Sequence, residues 1–153
     1  SGSTISVYTS QSTNIIVEVV GYITDGTAAT STLGLFVPIT PGRAYNSRSG
    51  PAFVAGESRT VTLTGLSAPL PVVPVGASGV SANLTVVAPA ANGFLTVFPN
   101  SEPATSNLNY AAGKTVANAA LLALNGSGQV TAKMSQGGHV LIDINGYFLA
   151  AAG

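Results

Sequence analysis

Eleven side chains in these 153 residues can take up or give up a proton or hold a charge near neutral pH: five carboxylates, five Lys or Arg cations and one histidine. A Ser-His-acid mechanism would have to use His139, the only histidine. It stands at the start of an apolar run just after a Gly137-Gly138 turn, and no strained nucleophile turn of Gly-x-Ser-x-Gly type accompanies it. The lone histidine reads as a strand-end residue, because one group without a partner is a poor sign of catalysis. Glycoside hydrolysis needs two carboxylates facing each other across a cleft. Asp25 falls in a turn, Glu57 and Glu102 in loops, and Glu18 and Asp143 occupy corresponding positions of two similar stretches. Calcium needs closely spaced oxygen ligands, and no Asp-x-Asp occurs. Without cysteine there is no thiol catalysis, disulfide or thiolate zinc site. The expectation is a chain with no catalytic residues, no metal and no cofactor.

Charge narrows the partners. Charged residues are 7% of the chain, against roughly 25% in a typical soluble domain, and they cancel to a net charge of zero. Nucleic acids and anionic membranes both select basic clusters, so neither is an expected partner. Nearly neutral surfaces approach one another without repulsion, which favours self-association. No apolar run reaches the ~20 residues of a membrane-spanning helix. The longest, Val116 to Leu124, has the length of a strand. No insertion in a membrane is expected, and no signal-peptide pattern is present.

The elements that must position these groups are β-strands. Short apolar runs alternate with the turn signals Asp25-Gly26, Asn92-Gly93, Asn125-Gly126-Ser127-Gly128 and Gly137-Gly138. Three hairpins follow: Val80–Ala88 with Phe94–Phe98, Val116–Leu124 with Val130–Met134, and that last strand with Val140–Phe148. Further strands are expected near Leu33–Ile39 and Arg59–Thr64. The segment 111–124, rich in Ala and Leu, is read as β because of Thr115-Val116 and its neighbours. Pro69, Pro71 and Pro74 mark an extended linker, and Thr40 to Pro51 reads as irregular. The fold class is all-β: an antiparallel β-sandwich of jelly-roll type.

One stretch occurs twice. HVLIDINGYF, from His139, corresponds to NIIVEVVGYI, from Asn14, at a constant offset of 125 residues. Ser10-Gln11 matches Ser135-Gln136, Glu18 matches Asp143, and Gly21-Tyr22 matches Gly146-Tyr147. Each copy reads as the second arm of a hairpin, with apolar residues on one face and a carboxylate and Tyr on the other. Residues 1–23 therefore form an N-terminal β-hairpin, the tail of a preceding unit, and residues 24–153 the sandwich domain. Ile15, Ile16, Val17, Val19, Val20 and Tyr22 of that hairpin need cover, since bare apolar strands aggregate. The cover is either the chain's own sheet or a neighbour's.

Mid-strand, Asp143 needs a donor, and Arg43 and Arg48 are the best placed, because guanidinium grips carboxylate with two parallel bonds. The structural reading is a clasp of Arg43, Arg48 and Asp143 that holds the segment 40–51 on the sheet. The functional reading is a ligand pocket in which Arg48 and Tyr45 bind an anion or a sugar.

The order of motifs resembles a tandem module of secreted and surface proteins of actinobacteria and related bacteria. That module carries Phe-Val-Pro-Leu-x-Pro-x-Arg-x-x-Asp-Thr-Arg, and this chain has Phe36-Val37-Pro38-Ile39-Thr40-Pro41-Gly42-Arg43-Ala44-Tyr45-Asn46-Ser47-Arg48. Asn46-Ser47 stands in place of Asp-Thr. Ala82 to Val86, Gly93 to Pro99, Ser106 to Tyr110, Val116 to Asn118 and Asp143 to Phe148 match the later motifs in order. The resemblance implies an extracellular or cell-surface location and no enzymatic activity. Two functions are thus expected of the chain: a structural subunit of a filament, array or stalk with itself as partner, or an adhesion module binding cell-wall glycan.

Overall fold

The structure is a computed structural model that describes residues 4–15, 17 and 34–149. Strict alternation of side chains is what builds the interior. In Gly79–Val87 the residues Val80, Ala82, Leu84 and Val86 are buried, while Ser81, Asn83, Thr85 and Val87 are part-exposed. Residues two apart share one face of a strand, so this run buries a continuous apolar row. Eight strands follow this logic: β1 Phe36–Asn46, β2 Ser58–Thr62, β3 Gly79–Val87, β4 Gly93–Phe98, β5 Leu108–Tyr110, β6 Val116–Ala123, β7 Gln129–Met134 and β8 His139–Phe148. No α-helix is present among the described residues; one 3-10 turn, Ser47–Ser49, follows β1. No helix there is long and apolar enough to cross a membrane.

The strands form two four-stranded sheets, β1-β8-β3-β6 and β2-β7-β4-β5, and every pairing is antiparallel. The pairs β1·β8, β2·β7, β3·β6 and β4·β5 are those of a long folded ribbon wrapped around a barrel-like core, which is the jelly roll. Phe53, Leu63, Leu84, Leu95, Met134, Ile142 and Ile144 are the largest fully buried side chains, and they come from both sheets and from loops.

Among the described residues from 34 onward the expected strands and the turns at 92–93, 125–128 and 137–138 are present, with β5 in addition, but the three expected hairpins are not; Asp25-Gly26 lies outside the described residues. β3 pairs with β6 and β8 rather than β4, β6 with β3 rather than β7, and β7 with β2 and β4 rather than β8. Each of these turns carries the chain from one sheet to the other. The connections contain five, five and four residues, more than the two of a tight hairpin, and that is enough to span the ~10 Å between packed sheets. A turn signal specifies reversal; whether the returning strand lies beside or beneath is decided by which partner its buried face meets. The same correction applies to the repeat, because the two arms at 130–134 and 139–148 lie in opposite sheets.

Two further expectations need revising. Thr40 to Asn46 is strand, not irregular chain. β1 is an edge, so Pro38 and Pro41 withhold donors where none is required, and two register shifts absorb the misfit. Tyr147 does not share a face with Asp143. A bulge at Asn145, where register shifts against both neighbours, turns Tyr147 toward the core while Leu141 and Asp143 stay on the other side. Of the predicted leading hairpin, residues 4–15 and Val17 contain no strand, and Ile5, Val7, Tyr8, Ile15 and Val17 are exposed. Ile16, Val19, Val20 and Tyr22 lie outside the described residues.

Gly146 shows why the Gly-Tyr pair recurs at the end of β8. Any Cβ there would run into the Phe36 ring and the Val37 carbonyl. Gly146→Ala should therefore cost about 1–3 kcal/mol, as overpacking does, measured by urea unfolding. An unchanged midpoint would show that Phe36 is not seated on Gly146.

Candidate functional site

Charged groups are brought together in three ion pairs among the described residues, and these account for all three described carboxylates. The first joins neighbouring strands. Arg43 on β1 stands directly opposite Asp143 on β8, and its Nε and Nη2 donate to the two carboxylate oxygens at 2.8 and 3.0 Å. Donating to the Asp143 carboxylate raises the pKa of the Arg43 guanidinium. The pair sits between the two register shifts of β1, so it marks the point where the edge strand locks onto β8. It does not anchor a loop, as the clasp reading had it. Arg48 takes no part: its backbone N–H and its Nε both donate to Asn46 Oδ1, at 3.0 and 3.2 Å. That contact caps the 3-10 turn.

Arg59 is the residue that sequence reasoning missed. Its Nε and Nη2 hold Glu57 at 2.6 and 3.1 Å, and its Nη1 and Nη2 donate to the carbonyls of Pro51 and Ala52 at 2.9 and 2.8 Å. Its guanidinium carbon lies 4.0 Å from the centre of the Phe53 ring. Glu57 also accepts the Val54 N–H at 2.8 Å. The loop 51–57 is thus closed around one guanidinium. Hydrogen bonding to Arg59, then to Val54, holds the Glu57 carboxyl below its ordinary value, and Glu57 followed by Tyr45 raises Arg59. The Glu-x-Arg spacing on a strand start was the available signal, since residues two apart share a face.

His139 does have a hydroxyl neighbour. Ser47 Oγ lies 3.2 Å from His139 Nδ1 and accepts the Val140 N–H at 2.8 Å. Ser47 is 4% exposed, and no described carboxylate bonds to the histidine. A nucleophile needs an open approach and an oriented base. This hydroxyl instead supplies the acceptor for a buried strand N–H, which ties the turn after β1 to the start of β8.

Tyr45 is half-buried against the core beside Arg59, while the Arg48 side chain is bonded to Asn46. Tyr110 is buried with its hydroxyl donating to the Gln136 carbonyl and accepting the Gln136 N–H. Asn107 accepts from Val97 N–H at 2.6 Å and Asn118 donates to the Asn107 carbonyl at 2.8 Å. Asn83 donates to the Thr85 hydroxyl, and Asn109 accepts from the Ser106 hydroxyl. Lys133 on β7 reaches Glu102 at 2.6 Å. Beside Glu102 a half-open depression of about 340 Å³ is lined by Phe94, Thr96 and residues 103–106. No group of three His, Cys, Asp or Glu able to hold a metal occurs among the described residues.

Ser47→Ala should leave the Val140 N–H buried and unpaired, a loss of about 1–3 kcal/mol by chemical denaturation. Arg43→Ala should cost only about 0–1 kcal/mol, since the pair is part-exposed at 42% and 29%. Arg48→Ala should leave the melting temperature unchanged. A loss for Arg48→Ala as large as that for Ser47→Ala would contradict this ranking. Glu57 adds a pH dependence. Its folded-state pKa is depressed, so its contribution is complete above the ordinary carboxylate range and is lost as pH falls through the lowered value. Glu57→Gln should flatten that part of the acid unfolding curve.

No protein-family model matches this chain, and no curated protein matches it.

Proposed function

We propose that the chain is a non-catalytic, extracellular structural module that assembles with copies of itself into a surface filament, array or stalk. The observation that carries this reading is the leading segment. Residues 4–15 contain no charged side chain and no strand, and they hold Ile5 and Tyr8 at 78% and 89% exposure beside a folded sandwich. Apolar residues in strand-like alternation are stable only when another sheet takes them up. The net charge of zero lets copies approach closely. The occupied carboxylates and the anchored Ser47 hydroxyl favour a structural role over an enzymatic one. The resemblance to surface modules supports the location.

Strand addition suits the segment better than hairpin addition. The corresponding arms at 130–134 and 139–148 are not paired with each other, so the leading arms have no reason to travel as a pair. A second reading, glycan adhesion, draws on the depression beside Phe94. An exposed aromatic ring with neighbouring hydroxyls and a carboxylate is the kind of surface on which a sugar stacks.

Light scattering on the whole chain at rising concentration separates the two. Growth of particles that is lost on deleting residues 1–17, with an unchanged β-type circular dichroism spectrum, is the expected result. A chain that stays monomeric throughout would refute assembly. Retention on insoluble cell wall, abolished by Phe94→Ala, would establish adhesion in its place.

A further inference from the structure

The sandwich has four sheet edges, β1 and β6 on one sheet and β2 and β5 on the other. An edge presents unpaired N–H and C=O groups, and proteins blunt their edges with proline, bulges, charge or shortness. Three of the four are blunted here. β1 contains Pro38 and Pro41 and two register shifts, and Pro71 of the long linker crosses close to its Gly42, where an added Cβ would lie 3.3 Å from the ring. β2 is five residues long with Arg59 near its middle. β5 has three residues.

β6 has none of these protections. Its eight residues, VANAALLA, pair with β3 in unbroken register from Val116 to Ala123, without proline, bulge or charge. Ala117, Ala119, Leu121 and Ala123 are exposed on the face away from the core, and Asn118 is exposed on the other. Side chains this small leave the backbone within reach of an incoming strand.

Among the described residues there are therefore two unsatisfied halves: an open edge without a partner strand, and an apolar arm without a sheet. We propose that the outer edge of β6 is the acceptor for the arm Ile5–Thr9 of a second copy of this chain. This rests on the assembly reading above and adds the acceptor surface to it. The arm is built of good strand formers, with Ile5, Val7 and Thr9 on one side and Ser6 and Tyr8 on the other. Its five residues would span about 17 Å, within the ~27 Å of β6, at about 3.4 Å per residue. Neither partner carries a charge, so joining them desolvates none. Donor and acceptor are different surfaces, so the contact is head-to-tail and propagates unless it closes into a ring.

The absence of native cysteine permits a direct test. Val7→Cys and Tyr8→Cys variants, which sample both faces of the arm, are each mixed with Ala119→Cys protein and mildly oxidised. A disulfide-linked dimer of one arm variant with Ala119→Cys, and none with Thr60→Cys on the β2 edge, is the expected result. Ala119→Lys should abolish particle growth in light scattering while the melting temperature stays the same. If the arm links to Thr60→Cys and not to Ala119→Cys, the acceptor assignment falls and assembly stands. If Ala119→Cys links only to itself, two β6 edges meet and the arm is not the donor. An intramolecular disulfide in the Val7→Cys, Ala119→Cys or Tyr8→Cys, Ala119→Cys double variant would place the arm on its own edge and overturn the contact between copies. A whole chain that never grows at any concentration defeats both this assignment and the reading beneath it.

Discussion

Strand β8 is bonded on both sides, to β1 and to β3, and its inward row of Val140, Ile142 and Ile144 is fully buried. A slip of one residue would turn that row to solvent and bring Asp143 into the core, so register here is held by the whole hydrophobic interior. Much else is referred to it. Arg43 meets Asp143 only in this register, Ser47 reaches the Val140 N–H only from it, and Phe36 lies on Gly146. The bulge at Asn145 then reverses the facing of the last residues, which lets Tyr147 join the core. Without the bulge, alternation would leave Tyr147 on the outer face.

With so few charges, each polar contact has a local task. Arg59 closes a loop, Arg43 locks an edge strand, and Asn46 and Ser47 finish the turn between them. Among the described residues no buried side-chain nitrogen or oxygen is left without a partner. A network so fully satisfied stabilises one arrangement. The surface is left with small neutral side chains, which resist neither water nor another copy of the same surface. The uneven protection of the four edges acquires meaning against that background, since backbone pairing needs no charge to be specific when, among the described residues, one edge alone is left open.

What the sequence by itself determined is most of the sandwich's strands, β5 excepted, the buried faces of those strands and, among the described residues, the absence of α-helix. Period-two alternation is a local property, and Val80, Leu84, Val86, Val140 and Ile142 report it directly. It also brought Arg43 and Asp143 into view as partners, because a carboxylate amid β-branched neighbours needs a cation. Partner choice between strands was decided only in the tertiary structure. The turns after β3, β6 and β7 look like hairpin turns residue by residue, yet each crosses to the other sheet, because two apolar faces must be covered at once and side-by-side pairing covers neither. The strand character of Thr40–Asn46 was hidden for a similar reason: proline forbids a central strand and permits an edge one, and edge position is a property of the whole sheet. Arg59's grip on Glu57, Pro51, Ala52 and Phe53, and the seating of Ser47 on Val140, join groups whose meeting depends on where loops land once the sheets have closed.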